Sequence, residues 1–202
     1  MMQAENFASL LARIRACREC AAHFPHGPRP VLQARPDARL LIVSQAPGRR
    51  VHESGIPFND KSGEKLRGWL GIDEPTFHDA KRVAIVPMAF CYPGKGASGD
   101  LPPRRECAPR WHPLLMPRLR KIELTLAIGG YAIDALLGPR KRVSLTETVC
   151  AWREYLDTGV MPLPHPSPRN TAWFVYNPWF EREAVPALRA RVQEILAPAQ
   201  RT

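Results

Sequence analysis

No apolar run in this chain approaches the ~20 residues that a membrane-spanning helix needs. The runs are short, such as Leu40-Leu41-Ile42-Val43. The opening stretch, MMQAENFASLLARIRACREC, mixes acids and bases and lacks the charged-then-apolar layout of a secretory leader. A membrane partner is therefore not expected, and a cytoplasmic location is. Cysteine is sparse, with five in 202 residues. Disulfides are rare in the cytoplasm, so those thiols need another explanation. There is no repeat at a fixed period and no low-complexity tail, which argues against solenoids and disordered arms. Acids are few beside bases, 19 against 29, leaving a net charge of +10. Such an excess favours a polyanionic partner, because phosphate contacts release counterions. Charge alone does not separate DNA from RNA or from an anionic membrane.

What is present reads as an ordinary globular chain, 45% hydrophobic and 24% charged, of a length that suits one domain. The 22 prolines concentrate in stretches 25–36, 87–117 and 162–168, which read as rigid loops. Phe7, Leu10, Leu11 and Ile14 recur at helical spacing and predict a helix over 5–22. Strands are expected at Leu40–Val43, Val83–Val86, Leu124–Ile128 and Met161–Leu163. Further helices are expected from a cap at Ser62 to Leu70, over Trp111–Arg120, from Gly129-Gly130 to Leu137, over Leu145–Tyr155 and over Phe180–Leu196. Short apolar strands alternating with helices predict an α/β fold, a single domain with a central four-stranded parallel sheet flanked by helices. In such folds ligands bind beyond the carboxyl ends of the strands. Those ends carry Gln45-Ala46-Pro47-Gly48, Pro87 to Cys91, Gly129-Gly130 and His165-Pro166-Ser167-Pro168, all on one rim.

Residues Ser44 to Gly63 read SQAPGRRVHESGIPFNDKSG. In Ala46-Pro47-Gly48, Gly55, Pro57-Phe58, Lys61 and Gly63 this stretch resembles the first active-site motif of the iron-sulfur uracil-DNA glycosylases. His165-Pro166-Ser167-Pro168 resembles the second motif of the wider superfamily, and Ile128 to Ala132 with Leu136-Leu137-Gly138 resembles the segment between them. The order and spacing of these pieces carry the resemblance, which covers about residues 10–170. It implies one glycosylase-like domain over 1–202 that removes uracil, or another deaminated base, from DNA and leaves an abasic site. The implied partner is lesion-bearing DNA, and the implied state is a monomer. A non-catalytic binder of damaged DNA on the same fold is the alternative reading.

Base excision needs an extruded nucleotide, a stabilised leaving base and a water nucleophile. By resemblance, Phe58 stacks on the base, with Ala46 and Met88 beside it. His165 donates to the carbonyl oxygen where negative charge develops, an oxyanion-type role. Ser167, Arg169 and Asn170 meet the DNA, with Lys95 and Gly129 as further contacts. The sequence departs from the family pattern twice. Relatives carry an acid at the position of Gln45 or Ala46 to orient water. Here Gln45 is left to hold the water, and His52, Glu53 and Asp60 are candidate bases in the same loop. Relatives also read the uracil edge with an Asn after the second strand. Pro87 to Cys91 offers none, so Asn59 or backbone groups must read the base. Losing a bidentate reader predicts a broader range of bases. The basic pairs and runs Arg49-Arg50, Arg104-Arg105 and Arg140-Lys141-Arg142 are candidate phosphate contacts.

Cys17 and Cys20 form a C-x2-C pair, and fifteen residues separate Cys91 from Cys107. Thiolates in this pattern suit an iron-sulfur cluster or a structural zinc, and buried free thiols would look the same. The family resemblance points to a structural 4Fe-4S cluster held by Cys17, Cys20, Cys91 and Cys107. Cys150, in a helical pattern beside Val149 and Trp152, reads as a core residue.

Overall fold

The structure is a computed structural model that describes residues 5–97 and 99–197. In chain order the elements are α1 (Phe7–Arg15), β1 (Leu40–Val43), α2 (Arg49–Ser54), α3 (Lys61–Leu70), α4 (Glu74–His78), β2 (Val83–Ile85), β3 (Lys95–Gly96), β4 (Gly99–Asp100), α5 (Cys107–Leu115), β5 (Leu124–Ile128), α6 (Gly130–Leu137), α7 (Leu145–Cys150), α8 (Trp152–Leu156), β6 (Val160–Leu163), α9 (Thr171–Tyr176) and α10 (Val185–Leu196).

The central sheet has four parallel strands in the order β2-β1-β5-β6. This is the α/β architecture that the alternation of strands and helices implies. β1 lies inside the sheet, with Leu40 opposite both Val83 and Leu124. All four β1 side chains are buried, as a two-sided strand requires. Each such aliphatic side chain contributes about 1.5–3 kcal/mol of burial. β6 is an edge strand, which tolerates Pro162: a missing N–H costs least where one flank has no partner. Helix α10 packs on α3 and on β1, and α1 packs on α5. Among the described residues no helix is long and apolar enough to cross a membrane.

Several boundaries differ from the sequence reading. The first helix stops at Arg15, well short of residue 22, and the chain turns through Cys17 and Cys20 into a 3-10 turn at Ala21–His23. Helix α3 is capped by Asp60, whose side chain accepts from the Gly63 N–H, and not by Ser62. The helix expected over 111–120 begins at Cys107 and ends at Leu115, followed by a 3-10 turn. The helix expected over 145–155 breaks at Ala151 into α7 and α8, with a Ser144/Glu147 capping box at its start. The break leaves Cys150 exposed, not in the core. The expected last helix begins as a π-helical turn at Phe180–Ala184 and runs on into α10. Helices α2, α4 and α9, and the β3–β4 hairpin inside the Cys91 to Cys107 loop, were not anticipated.

Candidate active site

A cavity of about 550 Å³ opens at the carboxyl ends of the strands. Its walls come from the Ser44 to Val51 segment after β1, Pro57 and Phe58 before α3, Pro87 after β2, the end of the β3–β4 hairpin, and His165 to Asn170 after β6. Gln45, Ala46, Phe58, Asp60, His165, Ser167, Arg169 and Asn170 all line it. The two loops that carry the sequence motifs therefore meet at one site.

The loop around Phe58 is built tightly. Phe58 has φ +54°, the sole positive value at a non-glycine among the described residues. This left-handed backbone costs a β-carbon-bearing residue about 1–2 kcal/mol. Its ring is buried, edge-on to Phe77 at 6.0 Å, yet reaches the cavity wall. The backbone closes against α3 so closely that a β-carbon on Gly63 would lie 1.7 Å from the Phe58 carbonyl oxygen. His78 supports the same loop, with Nε2 3.0 Å from the Pro57 carbonyl oxygen.

His165 is held by its own loop. Its Nδ1 accepts from the Ser167 N–H at 3.2 Å, and its carbonyl oxygen accepts from the Asn170 side-chain amide at 2.8 Å. An accepting Nδ1 places the proton of the neutral ring on Nε2, so Nε2–H remains as the donor. Burial holds the imidazole pKa below its ordinary value, and Asp60 and then Asp100 oppose that shift. The site thus presents a neutral, fixed hydrogen-bond donor. A β-carbon on Gly129 would lie 3.7 Å from the His165 ring, so Gly129 backs this residue without lining the cavity.

Other candidates lie elsewhere. His52 does not line the cavity; its ring packs beside His26 and Tyr92. The carbonyls of His52 and Glu53 both accept from Arg29 at 2.7 Å, which closes the end of α2. Asn59 is exposed and outside the cavity, and so is Lys95 on β3. Met88 is half-buried behind the wall, its N–H donating to the Ser44 carbonyl. Of the basic clusters, Arg49 and Arg50 line the cavity. Arg104 pairs with Glu106, Lys141 with Asp134 and Arg142 with Glu154. The sequence reading did not single out Asp100 or Ser44, both in the wall. Asp100 ends the glycine-rich stretch 94–100, far in sequence from both motif loops, and no pattern in the sequence marked it.

A model of the Uracil DNA glycosylase superfamily matches residues 32–189. The chain belongs to this superfamily. The match spans both loops of the cavity. Membership supports a DNA glycosylase, a hydrolase of the N-glycosidic bond, as the general activity, with DNA as the substrate. In a superfamily member, a cavity with an aromatic ring on one wall and a fixed imidazole donor on another suits an extruded base.

A second, smaller pocket is lined by Cys17, Cys20, Cys91 and Cys107, with Phe24 and Trp111 beside them. All four thiols are free. Burial pushes the Cys91 thiol up to about 12 and the Cys107 thiol up to about 11, and the neighbouring thiols add to both. Among the described residues no three His, Cys, Asp or Glu side chains stand where they could hold a metal ion. Four cysteine thiols nonetheless line this pocket, and the two carboxylates beside them, Glu19 and Glu106, are paired with Arg110 and Arg104. A multi-atom cluster spreads its ligands more widely than a single ion does, and a bound metal would convert these thiols to thiolates outright. The four thiols that share this pocket match such a group in donor chemistry.

Three half-buried histidines predict how stability depends on pH. Burial lowers the pKa of His52, His112 and His165. The unfolded chain therefore takes up protons near the ordinary value of about 6.5 while the folded chain does not, and stability falls as pH drops below that point. His112, whose Nε2 lies 3.0 Å from the Pro87 carbonyl, is the group to remove. Thermal melting should be flat above pH ~7 and should fall progressively below pH ~6.5. His112→Asn should lower Tm at neutral pH but make the acid slope shallower.

Proposed function

We propose that this protein is a DNA-repair glycosylase that hydrolyses the N-glycosidic bond of uracil, and of other deaminated bases, in DNA. The observation that carries this reading is the convergence of Phe58 and His165 on one cavity in a member of the superfamily. In this reading the flipped base stacks on the Phe58 ring, which is worth about 1–3 kcal/mol. The His165 Nε2–H donates to the base carbonyl oxygen as the bond to C1′ breaks and the base takes the electron pair. Ser167 and the backbone after it hold a phosphate, and Arg49, Arg50 and Arg169 supply positive charge at the mouth. The enzyme acts as a monomer on DNA.

The cavity carries no side-chain amide at the end of β2: Pro87 lines it there, and Met88 stands behind. A site without a paired reader for the uracil edge discriminates less. Oligonucleotides carrying uracil, hypoxanthine or xanthine, treated with the protein and then with alkali, test both parts of the reading. Strand breaks at uracil and at one or more of the others are expected. A strict preference for uracil would refute the broad range, and no break at any lesion would refute the activity.

The reading extends to a structural 4Fe-4S cluster held by Cys17, Cys20, Cys91 and Cys107, which places the chain nearest the iron-sulfur branch. The cluster would tie the turn after α1 to the loop after β2 and to the start of α5. Its contribution there is to folding, since it lies in a pocket separate from the base cavity. Purified protein is expected to be brown and to contain iron. Cys17→Ser should lose the colour and most of the soluble yield, while whatever folds retains its turnover per molecule. A colourless, iron-free protein of full yield and activity would contradict this.

A further inference from the structure

Hydrolysis at C1′ produces a proton that must leave the attacking water, and Gln45, which lines the cavity after β1, cannot accept it. Two carboxylates do line the cavity among the described residues, Asp60 and Asp100. They approach from different elements, Asp60 from the start of α3 and Asp100 from the end of β4. They converge on Gly48, where a β-carbon would lie 3.7 Å from one carboxylate oxygen of each. Both also act on the His165 imidazole through their charge. The acids therefore stand in the same space as the donor for the leaving base.

The two are not equivalent. Asp60 is committed to structure, because one of its oxygens accepts the Gly63 N–H and caps α3. Asp100 is exposed at the mouth and caps no helix, whereas Asp60 is half-buried. Its hairpin is held against the loop after β6: the Arg169 guanidinium packs so close to Gly99 that a β-carbon there would lie 2.3 Å from it. Tyr92 is buried, and the nearby Asp100 charge adds to burial in pushing its phenol pKa up. An acid at the mouth of a DNA-binding cavity opposes the phosphate backbone, and that cost asks for a compensating role.

We infer that Asp100 is the general base of this site. This rests on the glycosylase reading above. The C1′–N bond breaks first in sense, its electron pair leaving with the base. The oxygen of a water then bonds to C1′ and its proton passes to the Asp100 carboxylate. Solvent finally takes that proton and returns one to the departed base. The hairpin thus supplies the acid that the loop after β1 lacks.

The test compares Asp100→Asn with Asp60→Asn in single-turnover cleavage of a uracil-containing oligonucleotide. Asparagine caps a helix about as well as aspartate, and Asp100 is exposed and caps none, so neither change should unfold the protein, which circular dichroism checks. General-base catalysis contributes about 10²–10⁴-fold. D100N is expected to lose at least about 10²-fold in rate, more than D60N loses. Its binding to DNA carrying non-hydrolysable 2′-fluoro-deoxyuridine should stay the same or tighten, because a negative charge is removed. A smaller loss of rate, a larger loss in D60N, or weakened binding that accounts for the lost rate would overturn the assignment. A wild-type protein inactive on every lesion would instead remove the glycosylase reading and this inference with it.

Discussion

Alanine at position 165 is expected to lower the single-turnover rate of uracil release by about 10²–10³-fold, the loss seen when one preorganised oxyanion donor is removed. The expectation follows from the geometry of the ring. Nδ1 is occupied by the Ser167 N–H, so Nε2–H has no tautomeric alternative while the imidazole is neutral. Burial keeps it neutral. A donor that is already oriented needs no rearrangement as charge builds on the base, so its effect falls on the rate more than on binding. Binding of 2′-fluoro-deoxyuridine DNA to His165→Ala should therefore change little. If binding and rate fell together, His165 would be a ground-state contact and the proposed role would be wrong.

Gly63→Ala is expected to be the most damaging single methyl group in the site. The added carbon would meet the Phe58 carbonyl oxygen at 1.7 Å and its carbonyl carbon at 2.7 Å, and both are backbone atoms that cannot rotate aside. Either α3 slides or the Phe58 loop opens, and the left-handed backbone of Phe58 leaves little slack. A destabilisation of about 3 kcal/mol or more is expected, which for a chain of this size lowers Tm by about 6–12 °C. Lesion binding should fall as well, since the ring that receives the base is displaced. Gly68 on the same helix is the control. A β-carbon there meets nothing within 4 Å, so Gly68→Ala should stabilise by about 0.5–1 kcal/mol. Equal melting temperatures for the two variants would contradict this packing.

The sheet was legible in the sequence because its strands are short, apolar and bounded by turn residues. β1 and β5 fall where the pattern puts them, and β2 and β6 differ by one residue. The two motif loops were legible because a resemblance spread over ordered pieces survives the loss of individual residues. Helix ends were harder. Asp60 and Ser62 are both good caps two residues apart, and the chain uses Asp60, whose side chain accepts the N–H of Gly63 where that residue packs under Phe58. The first helix was read too long because its apolar spacing fades gradually, whereas the turn through Cys17 and Cys20 is set by tertiary placement near Cys91 and Cys107. Helices α2 and α4 are one to two turns long and too short to show a period. His52 looked like a base because it shares a loop with the motif, but α2 turns its ring toward Tyr92. Asp100 was missed for the opposite reason: it is far from both motifs in sequence and reaches them through a hairpin of two-residue strands.

The account stands on one cavity receiving one base between Phe58 and His165. A crystal structure with a duplex carrying 2′-fluoro-deoxyuridine addresses this directly. The uracil is expected out of the stack, face to face with the Phe58 ring, with a carbonyl oxygen about 2.7–3.1 Å from His165 Nε2. A base that stayed in the helix, or lodged in a pocket that touches neither residue, would contradict the account.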